Sequence, residues 1–336
     1  MDEFDLIRRY FAPLATGEGA FGLADDVAEL IAPVSGRLIV TTDAIVENVH
    51  FLSGDPLDTV AGKLVRVNVS DILAKGGTPV SALFTLVWPK DRRNEDLARL
   101  ARGLAADLEA FGISLLGGDT TSTDGPLMLS LTLIGECGPQ GPIRRSGAQA
   151  GDDVWVTGVI GDAMLGLKAS KGELKARIPP ERVADLIDAY LTPQPPSLAF
   201  AGVIAAHASA SADISDGLVA DAGHIAEASG ATLRLRLAQT PVSAAARAWM
   251  DAKADVPEQE CRLRLATGGD DYQALFCAAR SQRDLIRTGA RDAGVTATLI
   301  GEVIEGAGAA LIVGEDGRTI DVPLSGWCHF RQERTP

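Results

Sequence analysis

Carboxylates in this sequence gather where small and apolar residues surround them, and that setting limits what they can do. In "SADISDGLVADAGH", residues 211 to 224, Asp213, Asp216 and Asp221 stand among Ile214, Leu218 and Val219 with no lysine or arginine between them. A solvated helix face would mix in basic residues, so the cluster requires cations from elsewhere in the chain or a bound metal. "TTDAIVENVHF" adds Thr41, Thr42 and Asp43, hard oxygen donors of the kind Mg2+ takes, followed by His50. "LLGGDTTSTDGP" sets Asp119 behind Gly117 and Gly118, where missing side chains let a nucleotide approach the backbone, although a tight turn would use the same residues. Paired acids complete the set: Asp25 and Asp26 in "LADDVAEL", and Asp270 and Asp271 in "ATGGDDYQALF". Of the last pair, one acid is expected to face a ligand and the other to hold its loop.

The elements that must position these groups follow from periodicity. "DPLDTVAGKLVRVNVSDILAKGG" predicts a helix from Pro56 to Lys75, whose apolar stripe of Leu57, Val60, Ala61 and Leu64 continues through Asn68 and Asp71. An acid on a core-facing stripe is either hydrogen-bonded in the core or aimed at a metal site. "NEDLARLARGLAADLEAFG" predicts a packing helix with Asn94 as N-cap and Gly112 just past its end. Short β-rich runs end at Asp43, Asp119 and Gly158 and before Asp216, which suggests strand ends sharing one cleft. Beyond the last run, Ser215 or Asp216 is expected to cap a helix reaching Gly230, and the N–H groups of such a helix start also suit phosphate. "PIRRSGAQAGD" offers guanidiniums that match phosphate geometry, with Arg144 read as a surface-loop residue. "GEGAFG", residues 17 to 22, fits a dinucleotide fingerprint only literally, because a helical segment precedes it where a strand is needed. No Walker-type phosphate loop occurs.

A chain of 336 residues suits two domains, each with its own core. The turn-rich segment from 137 to 153 is the expected boundary, giving an N-terminal domain over 1–138 and a C-terminal one over 139–336. Hydrophobic residues make up 46% and the net charge is -14, a field that repels nucleic acid and would also repel an anionic substrate without Mg2+ or a local arginine. Cys137, Cys261, Cys277 and Cys328 form no C-x-x-C pair and the histidines do not cluster with them, which argues against a disulfide framework or a structural zinc and for a reducing cytoplasm. The acidic, amphipathic start and the lack of a long apolar run signal neither secretion nor a membrane span.

Taken in order, "ADDVA", "TTDAIVENVHF", "VNVSDILAKGG", "LGGDTT", "RRSGAQAGD", "VTGVIGDAMLGL", "ADISDGLVADAGH", "TGGDDYQALF" and the terminal "GWCHF" resemble the thiamine-monophosphate kinase family over nearly the whole chain. Single motifs are also similar to the wider superfamily of aminoimidazole ribonucleotide synthetase, selenophosphate synthetase and the hydrogenase-maturation dehydratase. The resemblance implies a two-domain aminoimidazole ribonucleotide synthetase-like fold, α/β and α+β, with an N-terminal domain that dimerises through its sheet and a C-terminal α+β domain completing the cleft. It implies a homodimer that uses ATP and several Mg2+ ions to phosphorylate thiamine monophosphate, giving thiamine diphosphate and ADP. Position by position, it implies metal contacts at Asp26, Thr41, Thr42, Asp43, Asp71, Asp119, Asp213 and Asp216. Nucleotide contacts fall at Gly117, Gly118, Arg145 and Ser215, and substrate contacts at His50, Asp270 and Trp327. Three positions depart from the family pattern: Ala24 replaces the usual Gly before the paired Asp, Asp270 stands where Glu is usual, and Cys328 interrupts the ending.

Bringing two polyanions to in-line distance requires counter-charge, which several Mg2+ ions held by Asp side chains such as Asp43, Asp71 and Asp213 would supply. A phosphate monoester has its second pKa near about 6, so it is already largely ionised at neutral pH and needs no general base. Two rival readings differ in kind. A sister ATP-using enzyme would want a cysteine in an N-terminal glycine-rich loop or at the C-terminus, and the chain ends "RQERTP". A non-catalytic nucleotide-binding relative would be expected to lose acids that are retained here.

Overall fold

The computed structural model describes residues 7–23, 29, 33, 35–322 and 326. The chain divides into two compact units, Met1–Pro142 and Ile143–Pro336.

The first unit is a four-stranded sheet in the order β1-β4-β2-β3, formed by β1 (Arg37–Val46), β2 (Thr78–Pro89), β3 (Ser114–Thr123) and β4 (Met128–Cys137). Helix α1 (Leu57–Ala74) links β1 to β2, and α2 (Asn94–Ala110) is the crossover that makes β3 parallel to β2. Of the stripe predicted on α1, Leu57, Val60, Ala61, Leu64 and Asn68 are buried and Asp71 is half-buried; on α2 the buried stripe is Leu97, Leu100, Ala101, Leu104 and Leu108. The two helices pack together, joined by a two-pronged ion pair from Arg66 to Asp107 at 2.6 and 2.9 Å. Arg93 is the residue before α2, Asn94 its first residue, and Gly112 takes the left-handed conformation (φ 67°) just beyond it.

Pleating gives this sheet two unlike faces. Leu129, Leu131 and Leu133 of β4 and Phe84 and Leu86 of β2 are buried, whereas Val40 is 68%, Leu83 40% and Leu38 36% exposed on the opposite side. Strands β1 and β3 run past the acids expected at their ends. The β1–β4 ladder holds its register unbroken from Arg37 opposite Cys137 to Val46 opposite Met128, so Asp43 is an interior strand residue, and Asp119 is likewise inside β3.

The second unit is a seven-stranded sheet in the order β11-β10-β7-β9-β5-β8-β6. Its strands are β5 (Asp153–Thr157), β6 (Ala210–Asp213), β7 (Thr232–Arg236), β8 (Ala274–Ala278), β9 (Ala297–Ile304), β10 (Ala310–Val313) and β11 (Thr319–Ile320). Among the described residues seven α-helices accompany it: α3 (Asp162–Ser170), α4 (Pro180–Leu191), α5 (Leu198–His207), α6 (Leu218–Ser229), α7 (Ala244–Asp251), α8 (Glu258–Ala266) and α9 (Arg283–Asp292). Residues of α6, among them Leu218, Ala222 and Ile225, cover one face over Val154, Leu233, Leu235 and Leu275. On the other, Phe200 and Ile204 of α5 and Ile286 and Ala290 of α9 cover Trp155 and Phe276. Strands β5 and β8 are buried throughout. Cys137, Cys261 and Cys277 are buried free thiols. Among the described residues no helix is long and apolar enough to cross a membrane.

Candidate active site

In the first unit the three-residue spacing of Asn68 and Asp71 on α1 meets the two-residue spacing of Thr41 and Asp43 on β1. Thr41 Oγ1 donates to Asp71 Oδ2 at 2.5 Å. The Asp43 N–H donates to Asn68 Oδ1 at 3.1 Å, while Asn68 Nδ2 donates back to the Leu64 carbonyl at 2.9 Å. Asn68 is therefore a hydrogen-bonded core residue that fixes the backbone beneath Asp43. Burial first, and then the Asp71 charge, pushes the Asp43 carboxyl up to about 6. Two carboxylates held side by side in this way favour a cation between them.

Thr42 faces the other way. Its hydroxyl donates to the Leu131 carbonyl at 3.2 Å and lies 3.1 Å from the Thr132 hydroxyl. Asp119 shares that open face, because its register runs through Thr85 and Ser130 to Ala44, the neighbour of Asp43. Asp43 and Asp119 are thus interior strand residues on opposite faces of the sheet, in place of the expected row of strand ends. Gly118 must be glycine for a reason internal to the sheet: a Cβ there would stand 1.7 Å from the Phe84 carbonyl oxygen. At Gly117 a Cβ would meet only Leu83 Cδ2, at 3.5 Å. His50 lies in the turn after β1, where its Nδ1 accepts the Val46 N–H at 3.0 Å, which places the proton of a neutral ring on Nε2.

In the second unit β6 ends on the buried Asp213, and the chain turns through Ser215 to Gly217 before α6. Neither Ser215 nor Asp216 caps that helix. Asp221, in its first turn, reaches back instead, and its Oδ2 accepts the N–H groups of Ser215, Asp216 and Gly217 at 3.1, 3.2 and 3.2 Å. Burial and the Asp216 charge push Asp221 up to about 7, opposed by these donors and by the Arg145 guanidinium. Asp216, Asp221 and His224 place one ligand atom each within 4.8 Å of one another. Arg145 is exposed, and its carbonyl accepts from Ser229 Oγ at 3.1 Å.

The loop carrying Asp270 interlocks with this turn. The N–H groups of Asp270 and Tyr272 donate to the carbonyls of Ser215 and Ile214 at 2.9 and 2.8 Å, and a Cβ on Gly269 would lie 2.5 Å from the Ser215 carbonyl oxygen. Asp270 and Tyr272 both take positive φ, 72° and 50°, and the Tyr272 hydroxyl donates to Asp270 Oδ1 at 3.1 Å. Asp271 between them is buried and accepts the Gly161 N–H on both oxygens at 2.9 and 3.0 Å, with burial raising its carboxyl well above the usual range. Asp271 is thus the acid of the pair that anchors the loop.

The structure therefore assembles Thr41, Asp43 and Asp71 in one unit, and Asp213, Ser215, Asp216 and Asp270 in adjoining turns of the other. Asp26 and Trp327 lie outside the described residues. Reading the sequence missed the loop-clamping role of Asp221 and the contact from Tyr272. Asn68 did announce itself, as a polar residue on an apolar stripe one turn before Asp71.

Both units carry the same larger signature. The family described as AIR synthase related protein matches with its N-terminal domain over residues 24–137 and its C-terminal domain over 149–314. Within this two-domain class, the thiamine-monophosphate kinase of Caulobacter vibrioides is 41% identical over 330 residues, 97% of this chain and 90% of that protein. The crystal structure of thiamine-monophosphate kinase from Stenotrophomonas maltophilia K279a superposes with a TM-score of 0.81 at 32% identity, covering 95% of this chain and 98% of that one. AaThiL complexed with AMPPCP and TMP gives a TM-score of 0.77 at 32% identity, over 89% of each chain. The chain belongs to the thiamine-monophosphate kinase family.

Proposed function

We propose that this protein transfers a phosphoryl group from ATP to thiamine monophosphate, releasing thiamine diphosphate and ADP. Full-length kinship supports the reaction, and the solved relative that holds AMPPCP, a non-hydrolysable ATP analogue, supports the donor. The observation that carries the chemistry is the trio of Thr41, Asp43 and Asp71: oxygen donors only, partly buried, with Asp43 pushed up to about 6. Such a set fits Mg2+.

Asp26, Thr41, Thr42, Asp43, Asp71, Asp119, Asp213 and Asp216 are the proposed metal-binding residues. The division of Thr42 and Asp119 from Asp43 and Asp71 across two sheet faces favours several ions over one. When bound, Mg2+ supplies counter-charge for two phosphate groups. Gly117, Gly118, Arg145 and Ser215 contact the nucleotide; Ser215 is held by the Asp221 clamp, and Arg145 offers a guanidinium fork. His50, Asp270 and Trp327 face the thiamine moiety, with the His50 ring oriented by the Val46 N–H and the Asp270 carboxylate by the Tyr272 hydroxyl. No side chain serves as general base, because the acceptor phosphate arrives ionised.

The protein is further proposed to be a cytoplasmic homodimer joined through the open sheet face of the first unit. Val40, Leu38 and Leu83 expose apolar surface there, and buried free thiols suit a reducing compartment.

Incubation with ATP, Mg2+ and thiamine monophosphate, followed by chromatographic product analysis, tests the reaction. ADP and thiamine diphosphate should appear in equal amounts. ADP formation that ignores thiamine monophosphate would overturn the assignment.

A further inference from the structure

The second unit also concentrates guanidinium groups on the sheet face opposite α6. Arg234 and Arg236 of β7 donate to Glu302 Oε1 at 2.6 and 2.8 Å, and Arg280 donates to Glu302 Oε2 at 2.9 Å. Arg283 grips Asp153 with two bonds of 2.5 and 2.7 Å, while Arg280 lies 3.9 Å from the same carboxylate and so links the two hubs. Strand register explains the gathering, since Glu302 sits opposite Arg234 on one side and Asp153 on the other.

Two features separate this network from a chance surface pairing. The acids lie low, with side chains 1% (Asp153) and 16% (Glu302) exposed, whereas the four guanidiniums are between 39% and 56% exposed. Buried carboxylates thus orient an outward rim of arginines, each using one or two of its five N–H donors in these bonds. Four guanidiniums against two carboxylates also leave an excess of two positive charges, on a chain whose net charge is -14. Clustered like charge of this kind is relieved by an external anion.

We propose that this rim is a metal-independent binding site for a small molecule bearing a diphosphate group. Planar guanidiniums match phosphate oxygens bidentately, and their arrangement around two hubs suits two linked phosphates better than one. The site shares no residue with those assigned to phosphoryl transfer and does not rest on that assignment.

Calorimetric titration with inorganic pyrophosphate in EDTA tests it, because removing Mg2+ silences anion sites that depend on metal. Saturable binding of one pyrophosphate per chain is expected, at least about tenfold tighter than orthophosphate. The Arg234→Gln/Arg236→Gln double variant should weaken it by about tenfold or more, and Arg145→Gln should leave it unchanged. Glu302→Gln keeps an oxygen that can accept from the arginines but removes a negative charge from the cluster and should tighten binding several-fold, whereas in a purely structural network it would loosen the rim and weaken binding. That opposite sign keeps the test decisive even if the double variant fails to fold. Absence of binding, equal affinity for orthophosphate, loss with Arg145→Gln or weakening in Glu302→Gln each overturns the proposal. ADP and thiamine diphosphate, run as competitors in the same buffer, identify the source by which displaces pyrophosphate at lower concentration; displacement by neither also overturns it.

Discussion

Asp71 receives the Thr41 hydroxyl on an oxygen that an asparagine would retain. Asp71→Asn should therefore keep the fold and its melting temperature while abolishing turnover, because it removes charge and spares shape. Near-normal activity with an unchanged Mg2+ dependence would remove Asp71 from the metal site. Asp162 offers a different test. Burial pushes its carboxyl up to about 6, against the lowering effect of the Ser243 hydroxyl that donates to it at 2.8 Å. The folded state holds this proton more tightly than the unfolded chain, so stability falls as pH rises from about 4 to about 6 and stays low above that. Asp162→Asn escapes the penalty. It should raise the urea midpoint of the second unit at pH 8, by the equivalent of about 1–3 kcal/mol, with the difference vanishing near pH 4.

At the level of elements, the glycine pair before Asp119 separates two explanations that look alike in sequence. Gly118→Ala would drive a methyl group into the Phe84 carbonyl and force β2 and β3 apart, costing upwards of about 2 kcal/mol, whereas Gly117→Ala should stay within about 1 kcal/mol. Thermal melts of the two variants in the absence of nucleotide give the comparison, and equal losses would refute the packing account. Much of this framework was legible beforehand. The α1 and α2 stripes and the β-rich runs were set by apolar periodicity, which survives in any packed context. The lengths of β1 and β3 were not, because threonines and serines on an open sheet face read as turn residues until a partner strand is known. Nor was the start of α6. Ser215 and Asp216 are favoured cap types, yet the groove between turn and helix lets Asp221 satisfy all three N–H groups at once.

For the molecule as a whole, the sheet of the first unit has helices on one face and exposed Val40 and Leu83 on the other. If two copies join there, Val40→Glu sets carboxylates against each other across a symmetric interface, and light scattering should report a shift from dimer to monomer at micromolar concentration. A variant that stays dimeric would move the interface elsewhere. The buried thiols give the intact protein an internal clock. Cys137 belongs to the first unit, Cys261 and Cys277 to the second, and burial raises the proton affinity of all three, so none reacts as readily as a surface thiolate. Alkylation by iodoacetamide must then await opening of the surrounding structure. Peptide-resolved labelling rates should report how often each unit breathes, with Cys277, inside the wholly buried strand β8, the last to be modified.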